Sequence, residues 1–209
     1  MTMPNFKRSP LALAVLALLI EAPMHPYRMQ QLLKSRGKEE VINIRQRGSL
    51  YQTIERLERE GLIAPGSVEK SEGRPERTVY EATPLGRTVA VDWLRTMLAE
   101  PHNEFPEFPV AMSFLPLLSP EEVMPLLETR LTALRKREFE LAAELENYLT
   151  VLPRVVLLES QYMLAIVSAE RNWIEGIIAD LRSGRLAWSI EELKTIAAQF
   201  EGEQPPRPG

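Results

Sequence analysis

No cysteine occurs among the 209 residues. That excludes a disulfide framework, a thiolate metal site and a cysteine nucleophile, and it fits a reducing, cytoplasmic setting. Histidine is almost as scarce: His25 and His102 are too few and too scattered for a zinc site. Neither a metal nor a cofactor is therefore expected. Long apolar runs are missing too, since the longest, Leu11 to Ile20, falls well below the ~20 residues needed to span a bilayer. It follows Lys7-Arg8 as the apolar core of a secretory signal would, but no A-x-A-like cleavage site comes after it. A soluble helix is the expectation, with no membrane partner. Also absent are a phosphate-binding glycine loop, a nucleophile motif and a metal constellation. Carboxylate pairs such as Glu39-Glu40 and Glu191-Glu192 read as solvated helix surface or caps. An enzyme is not expected.

What is present is a globular chain with 44% apolar residues, long enough for one large or two small domains. The net charge of −4 looks unsuited to nucleic acid until the chain is divided. Residues 1–100 hold 15 Lys/Arg against 12 Asp/Glu, a net of +3; residues 101–209 hold 10 against 17, a net of −7. The basic excess lies in the first half, which permits DNA binding without demanding it.

Ser9 is a good N-cap and Pro10 suits a first helical position, so a helix runs from Pro10 to about Glu21, buried on nearly all sides. The segment Ala22-Pro-Met-His-Pro26 breaks it. Tyr27 to Lys34 then forms a short amphipathic helix with Tyr27, Met29, Leu32 and Leu33 available for packing, and Gly37 ends it. In the stretch Gly48 to Ile63, Leu50, Ile54 and Leu57 recur at i, i+4, i+7 as an apolar stripe, while Ser49, Gln52, Thr53 and Arg56 form a polar one able to meet base edges or phosphates. The same pattern also suits a helix that only covers a core. Gly61 ends this helix, completing a helix-turn-helix arrangement. The period then changes. Ile63 and Val68 flank Pro65-Gly66, so the first strand is short or interrupted; Ser71 to Pro75 turns; Arg77 to Ala82 is rich in β-formers. Lys70, Arg74 and Arg77 flank the tip of this hairpin, and Arg74 could enter a minor groove or meet a phosphate, although Glu69, Glu72 and Glu76 equally suit a solvated charged hairpin. Thr83-Pro84 caps a fourth helix with Leu85, Val89, Trp93 and Met97 along one stripe.

The pieces Leu11 to Ile20, His25-Pro-Tyr27, Gly48-Ser-Leu-Tyr51, Arg56 to Ile63, Arg77-Thr-Val-Tyr80, Thr83-Pro-Leu-Gly-Arg87 and Trp93-Leu94 occur in this order. Together they resemble the PadR family of bacterial winged helix-turn-helix transcription regulators, over roughly residues 9–98. The resemblance implies that Arg47 to Glu60, including Tyr51, is a recognition helix, that the hairpin around Gly73 is the wing, and that an operator is bound by a dimer. The sequence departs from the family in the turn Ile44-Arg-Gln-Arg-Gly48, where Arg45 and Arg47 either add phosphate contacts or reflect subfamily drift.

Pro101, Pro106 and Pro109 mark a linker, followed by the short apolar segment Val110 to Leu118. Ser119-Pro-Glu-Glu122 is a capping box with proline at the first helical position. Leu127, Leu134, Leu141 and Tyr148 then recur every seven residues with Leu131 and Leu145 between them, predicting a helix of about 45 Å. Pro153 ends it. A second long helix runs from about Arg154 to Arg182, its stripe including Leu158, Tyr162, Ile166, Trp173 and Ile177, with Gly184 to terminate it. Two such helices need a further apolar partner, and the same pair from a second subunit is the simplest. This half is similar to the C-terminal dimerisation domain of the longer PadR-like regulators. Ser189 to Glu192 is another capping box, with Ile190, Leu193, Ile196, Ala197 and Phe200 on one face of a short helix, and the proline-rich residues 201–209 are expected to be disordered.

The expected fold is mainly α: a winged helix-turn-helix domain of three to four helices plus a two-stranded wing at 1–98, a linker and apolar segment at 99–118, long antiparallel helices for dimerisation at 119–200, and a tail. The expected function is a sequence-specific transcriptional regulator, a repressor, that binds a palindromic double-stranded operator as a homodimer. Trp93, Trp173 and Trp188 leave a small-molecule effector open, although tryptophan at a helical interface is more often core. A winged-helix protein-interaction module without DNA binding is the alternative.

Overall fold

The computed structural model describes residues 6–42, 47–69 and 77–200. Arg45, Lys70, Arg74 and the tail at 201–209 lie outside the described residues. The chain divides into two compact units, residues 1–104 and 105–209. Among the described residues no helix is long and apolar enough to cross a membrane, and no group of His, Cys, Asp or Glu could hold a metal ion.

The first unit is built on α1 (Pro10–Glu21), which starts where Ser9 Oγ accepts the Ala12 N–H at 3.1 Å. Ala12, Val15, Leu16, Leu18 and Leu19 are all buried, more than one helical stripe, because α3, α4 and β2 pack around it. The next helix, α2 (Pro26–Ser35), is capped by a histidine: His25 Nδ1 accepts the Arg28 N–H at 3.0 Å. Met29 and Leu33 face the core and Leu32 packs at its margin, whereas Tyr27 stays half exposed. A bidentate pair from Arg36 to Glu21, at 2.8 and 2.7 Å, ties the far end of α2 to the end of α1. It holds the Glu21 carboxyl below its ordinary range, mainly through the hydrogen bonds.

In α3 (Arg47–Arg59) the stripe Leu50, Ile54, Leu57 is buried, as its spacing predicts. Gly61 takes the left-handed conformation at φ +70°, so that its N–H reaches the Glu58 carbonyl and the Leu62 N–H reaches that of Leu57, both at 2.9 Å. This Schellman closure turns the chain directly into a strand. The hairpin pairs β1 (Ile63–Glu69) with β2 (Arg77–Ala82) in antiparallel register from Ile63 opposite Ala82 to Glu69 opposite Arg77. Its register shifts between Pro65 and Val68, the interruption that Pro65-Gly66 leads one to expect. Met24 adds a bridge on the other side of Tyr80, with two backbone hydrogen bonds of 3.1 and 3.0 Å. Finally, Thr83 caps α4 (Pro84–Ala99): its Oγ1 accepts the Gly86 N–H at 3.0 Å and donates to the Gly61 carbonyl at 2.8 Å. The buried face of α4 is Gly86, Val89, Ala90 and Trp93. The expected stripe is corrected at its start: Leu85 is exposed and Gly86 faces the core, because the helix backbone lies against the Leu62 carbonyl too closely for a side chain.

The second unit contains a helix where the prolines suggest a linker. In α5 (Glu107–Ser113), Pro106 is the N-cap and Pro109 lies in the first turn, where no N–H is needed for the helix ladder. Phe108, Met112, Leu115 and Leu118 pack on the core of this unit. The linker expected at 99–118 is therefore partly structure of the second unit. The capping box forms at α6 (Pro120–Leu149), with Ser119 Oγ accepting the Glu122 N–H at 3.3 Å and Glu122 Oε2 accepting the Ser119 N–H at 2.9 Å. Opposite it lies α7 (Leu158–Ser183), entered by a 3-10 turn at Arg154–Leu157 and closed by Gly184 at φ 73°. Glu128 pairs with Arg182, Arg130 with Glu170, Arg135 with Glu175 and Glu138 with Ser168 and Arg171, so contact positions on α7 broadly descend as those on α6 rise and the helices are antiparallel. Val123, Leu127, Leu131, Ile174 and Ile178 form the core between them. The short α8 (Ile190–Phe200) begins where Ser189 Oγ accepts the Glu192 N–H at 3.1 Å.

Candidate nucleic-acid interface

Because Leu50, Ile54 and Leu57 point into the core, the opposite side of α3 is fixed by 100° steps around the helix. That side carries Gly48, Gln52, Glu55 and Arg59, all exposed, with half-exposed Tyr51 beside them. The polar stripe Ser49, Gln52, Thr53, Arg56 shares only Gln52 with this face. The other three are half-buried along one flank. Thr53 Oγ1 donates to the Ser49 carbonyl at 2.7 Å, which commits its only hydroxyl proton within the helix. Arg56 Nη1 donates to the Lys7 carbonyl at 2.6 Å and lies 3.7 Å from Glu60 Oε1. Ser49, Thr53 and Arg56 thus lie off the outward face, while Arg59, which the spacing argument passed over, stands on it. The signal that finds Arg59 is its angle from the centre of the buried stripe rather than membership of any repeat.

The other flank of α3 faces the start of α2 and the base of the hairpin across a depression of about 360 Å³. His25, Tyr27, Tyr51, Glu55, Arg77 and Tyr80 line it. The rings of His25 and Tyr27 stack, with centroids 6.1 Å apart and planes 25° from parallel. On Tyr27 sits the Arg77 guanidinium, 5.0 Å from the ring centre, a cation–π contact that orients a flexible side chain. Arg77 therefore belongs to the base of the wing and the edge of this depression. Burial, followed by the Glu58 and Glu55 carboxylates, pushes the Tyr80 phenol above its ordinary value, so it stays a protonated donor. Of the remaining expected contacts, Arg47 opens α3 with only its backbone described, and Arg45, Lys70 and Arg74 lie outside the described residues.

The second unit carries the residues expected to meet a partner subunit, and it divides them. Leu127 and Leu141 are buried within the subunit and Leu134 and Ile177 pack against its own core, because the heptad stripe of α6 is already satisfied by α7. Leu158, Tyr162, Ile166 and Trp173 on α7 and Tyr148 on α6 are instead exposed by 42 to 66%. Trp188 donates its indole N–H to the Leu118 carbonyl at 2.9 Å within the core, and Trp93 is buried in the first unit. Trp173 alone of the three remains largely presented, edge-on to Phe108.

The model of the transcriptional regulator PadR-like family matches residues 15–91. Bacillus subtilis PadR, solved in complex with operator DNA, shares 20% identity over 84% of this chain and 99% of its own, with a TM-score of 0.68. The same protein in complex with p-coumaric acid gives 20% identity, coverage of 82% and 98%, and a TM-score of 0.67. The virulence activator AphA of Vibrio cholerae gives 18% identity, coverage of 83% and 98%, and a TM-score of 0.62. No curated protein sequence matches. The fold is the winged helix-turn-helix of these structures, and residues 15–91 carry a domain that matches the transcriptional regulator PadR-like family.

Proposed function

We propose that the protein binds a palindromic double-stranded DNA operator as a homodimer and represses transcription by occupying it. The observation that carries this reading is α3, with one side locked into the core by Leu50, Ile54 and Leu57 and the other presenting Gln52, Arg59 and Tyr51 to solvent. A helix held in this way can enter a major groove with its polar side chains already aimed at base edges. Bacillus subtilis PadR, on the same fold, has been captured on operator DNA, which supports carrying the activity to this chain. Homodimer formation draws on Leu158, Tyr162, Ile166 and Trp173, exposed apolar side chains on one face of α7 that the same helix of a second copy could cover. A small-molecule effector belongs to the same proposal through the p-coumaric acid complex of that relative. In this chain Trp93 is buried and Trp188 packs, partly buried, against the core of the second unit, so neither favours it.

A second reading, a protein-interaction module without DNA binding, rests on Glu55, exposed at the edge of the outward face of α3, where a carboxylate opposes phosphates. One experiment separates the two. Purified protein is incubated with a random duplex library at low salt, and the bound fragments are sequenced. Enrichment of a palindrome with half-sites about 10 base pairs apart is the expected result. Failure to bind any duplex would favour the interaction module. Placing the enriched site across a reporter promoter then tests repression: the signal should fall when the protein is supplied.

A further inference from the structure

The side chain expected to read a base is instead joined to the start of the chain. We propose that Arg56 is a positioning residue that latches the amino-terminal segment along α3, making Lys7 and Arg8 a second, sequence-independent DNA contact beside the recognition helix. This rests on the DNA-binding reading above and names a part of the interface that the helix and wing do not supply. Three observations place the segment. Phe6 packs against the core of the first unit, and Ser9 caps α1, so the two residues between them are pinned at both ends. From a position 49 residues further along the chain, the Arg56 guanidinium holds the Lys7 carbonyl at 2.6 Å. The Lys7 side chain is left exposed and Arg8 partly so.

The latch is braced from its far side. Glu60, one turn on, lies 3.7 Å from the same guanidinium and is mostly buried. Its second oxygen, Oε2, is buried without a hydrogen-bond partner, so the carboxylate depends on Arg56 for compensation. A guanidinium engaged by a carbonyl on one side and a carboxylate on the other is held in place, with its side chain only 19% exposed. Base reading would require those contacts to break. The charge pattern agrees: residues 1–20 contain Lys7 and Arg8 and no acid, whereas the outward face of α3 alternates Glu55 with Arg59. A short, uniformly basic segment pinned against a mixed helix suits phosphates, which ask for charge and little geometry.

The test measures binding across a salt series on two duplexes, one enriched from the library and one scrambled, for wild type, Lys7→Ala/Arg8→Ala, Arg56→Ala, Arg56→Lys and the triple alanine variant. Removing two phosphate contacts from each subunit, four from the dimer, should lower the slope of log affinity against log salt by about 3.6, equally on both duplexes. Arg56→Ala should reproduce at least half of that change, Arg56→Lys should stay close to wild type, and the triple variant should be no weaker than the Lys7/Arg8 pair. Thermal melting accompanies each variant, and the surface pair Lys7→Ala/Arg8→Ala carries the test if Arg56→Ala fails to fold. An unchanged slope for that pair overturns the proposal, as does an Arg56→Ala variant that loses preference for the enriched duplex while keeping its salt slope. Both outcomes leave DNA binding intact. A wild type that binds neither duplex fails at the earlier step.

Discussion

Side chains on α3 look interchangeable in the sequence and are not. Spacing identifies the buried stripe, and from it the outward direction follows, yet a polar repeat 60° off that direction looks equally regular. What separates them is a contact with Lys7, far away in the chain, which no local pattern contains. Gln52 survives both criteria, and Thr53 does not, because its hydroxyl is spent on the Ser49 carbonyl. Gln52→Ala should therefore weaken operator binding by ~1 to 3 kcal/mol and relax the preference at one base pair. Thr53→Ala should change affinity by less than about 0.5 kcal/mol. Titrating both variants with matched and single-mismatch duplexes decides the matter, and a larger loss for Thr53→Ala would return the reading face to the original stripe. The His25 cap was equally hidden. The sequence shows a histidine before a proline, but only the folded turn shows Nδ1 facing the Arg28 N–H.

Elements were largely legible where caps and periods act locally. The starts of α1 and α6 are set by Ser9-Pro10 and Ser119-Pro120, signals that need no tertiary partner. By contrast α5 was obscured, since proline spacing in a linker and proline at a helix start look alike until Phe108 and Met112 find a core. Gly86 shows why an element can depend on an absent side chain. A Cβ there would lie 1.9 Å from the Leu62 carbonyl oxygen, a backbone atom that cannot rotate away. Gly86→Ala should destabilise the first unit by at least about 1 to 3 kcal/mol, measurable by urea unfolding, and α4 should shift away from the hairpin base. The pairing of α6 with α7 carries a pH signature. The hydroxyl of Ser168 at 2.6 Å, then the Arg171 guanidinium, 2.6 Å away at its nearest, hold the Glu138 carboxyl below its ordinary range. A carboxylate with a depressed folded value stabilises above its unfolded value, near 4.3, and loses that contribution as the pH falls through the folded one. The urea midpoint of the wild type should exceed that of Glu138→Gln at pH 7, and the gap should narrow as the pH falls below about 4.3. A constant gap across that range would mean that the contact is structural rather than ionic.

Across the whole chain, charge divides roughly with the two units: a basic excess in residues 1–100, which contain α3, and an acidic excess in residues 101–209, which contain the long helices. Heptad spacing found α6, and an apolar stripe between Pro153 and Gly184 found α7, but neither could say which face each would turn to the other, because both helices carry more apolar positions than one contact needs. The structure assigns Leu127, Leu131 and Leu141 to the subunit's own interior and leaves Leu158, Tyr162, Ile166 and Trp173 outward on α7. The dimer seam is accordingly proposed on α7. An aspartate in a symmetric seam is met by its own copy or by apolar atoms, an unpaired charge costing several kcal/mol. In the monomer the same aspartate at position 162 would remain in water. Tyr162→Asp should therefore dissociate the dimer with helicity and melting behaviour of the subunit retained, and operator affinity should fall with it, since one winged domain offers few contacts. Leu141→Asp, and Leu134→Asp at the margin of the core, should instead unfold the helical unit. Sedimentation velocity at micromolar concentration, together with circular dichroism, distinguishes the two fates. Wild type sedimenting as a monomer while binding a palindrome tightly would remove the dimer from the proposal and leave the α7 face to another partner.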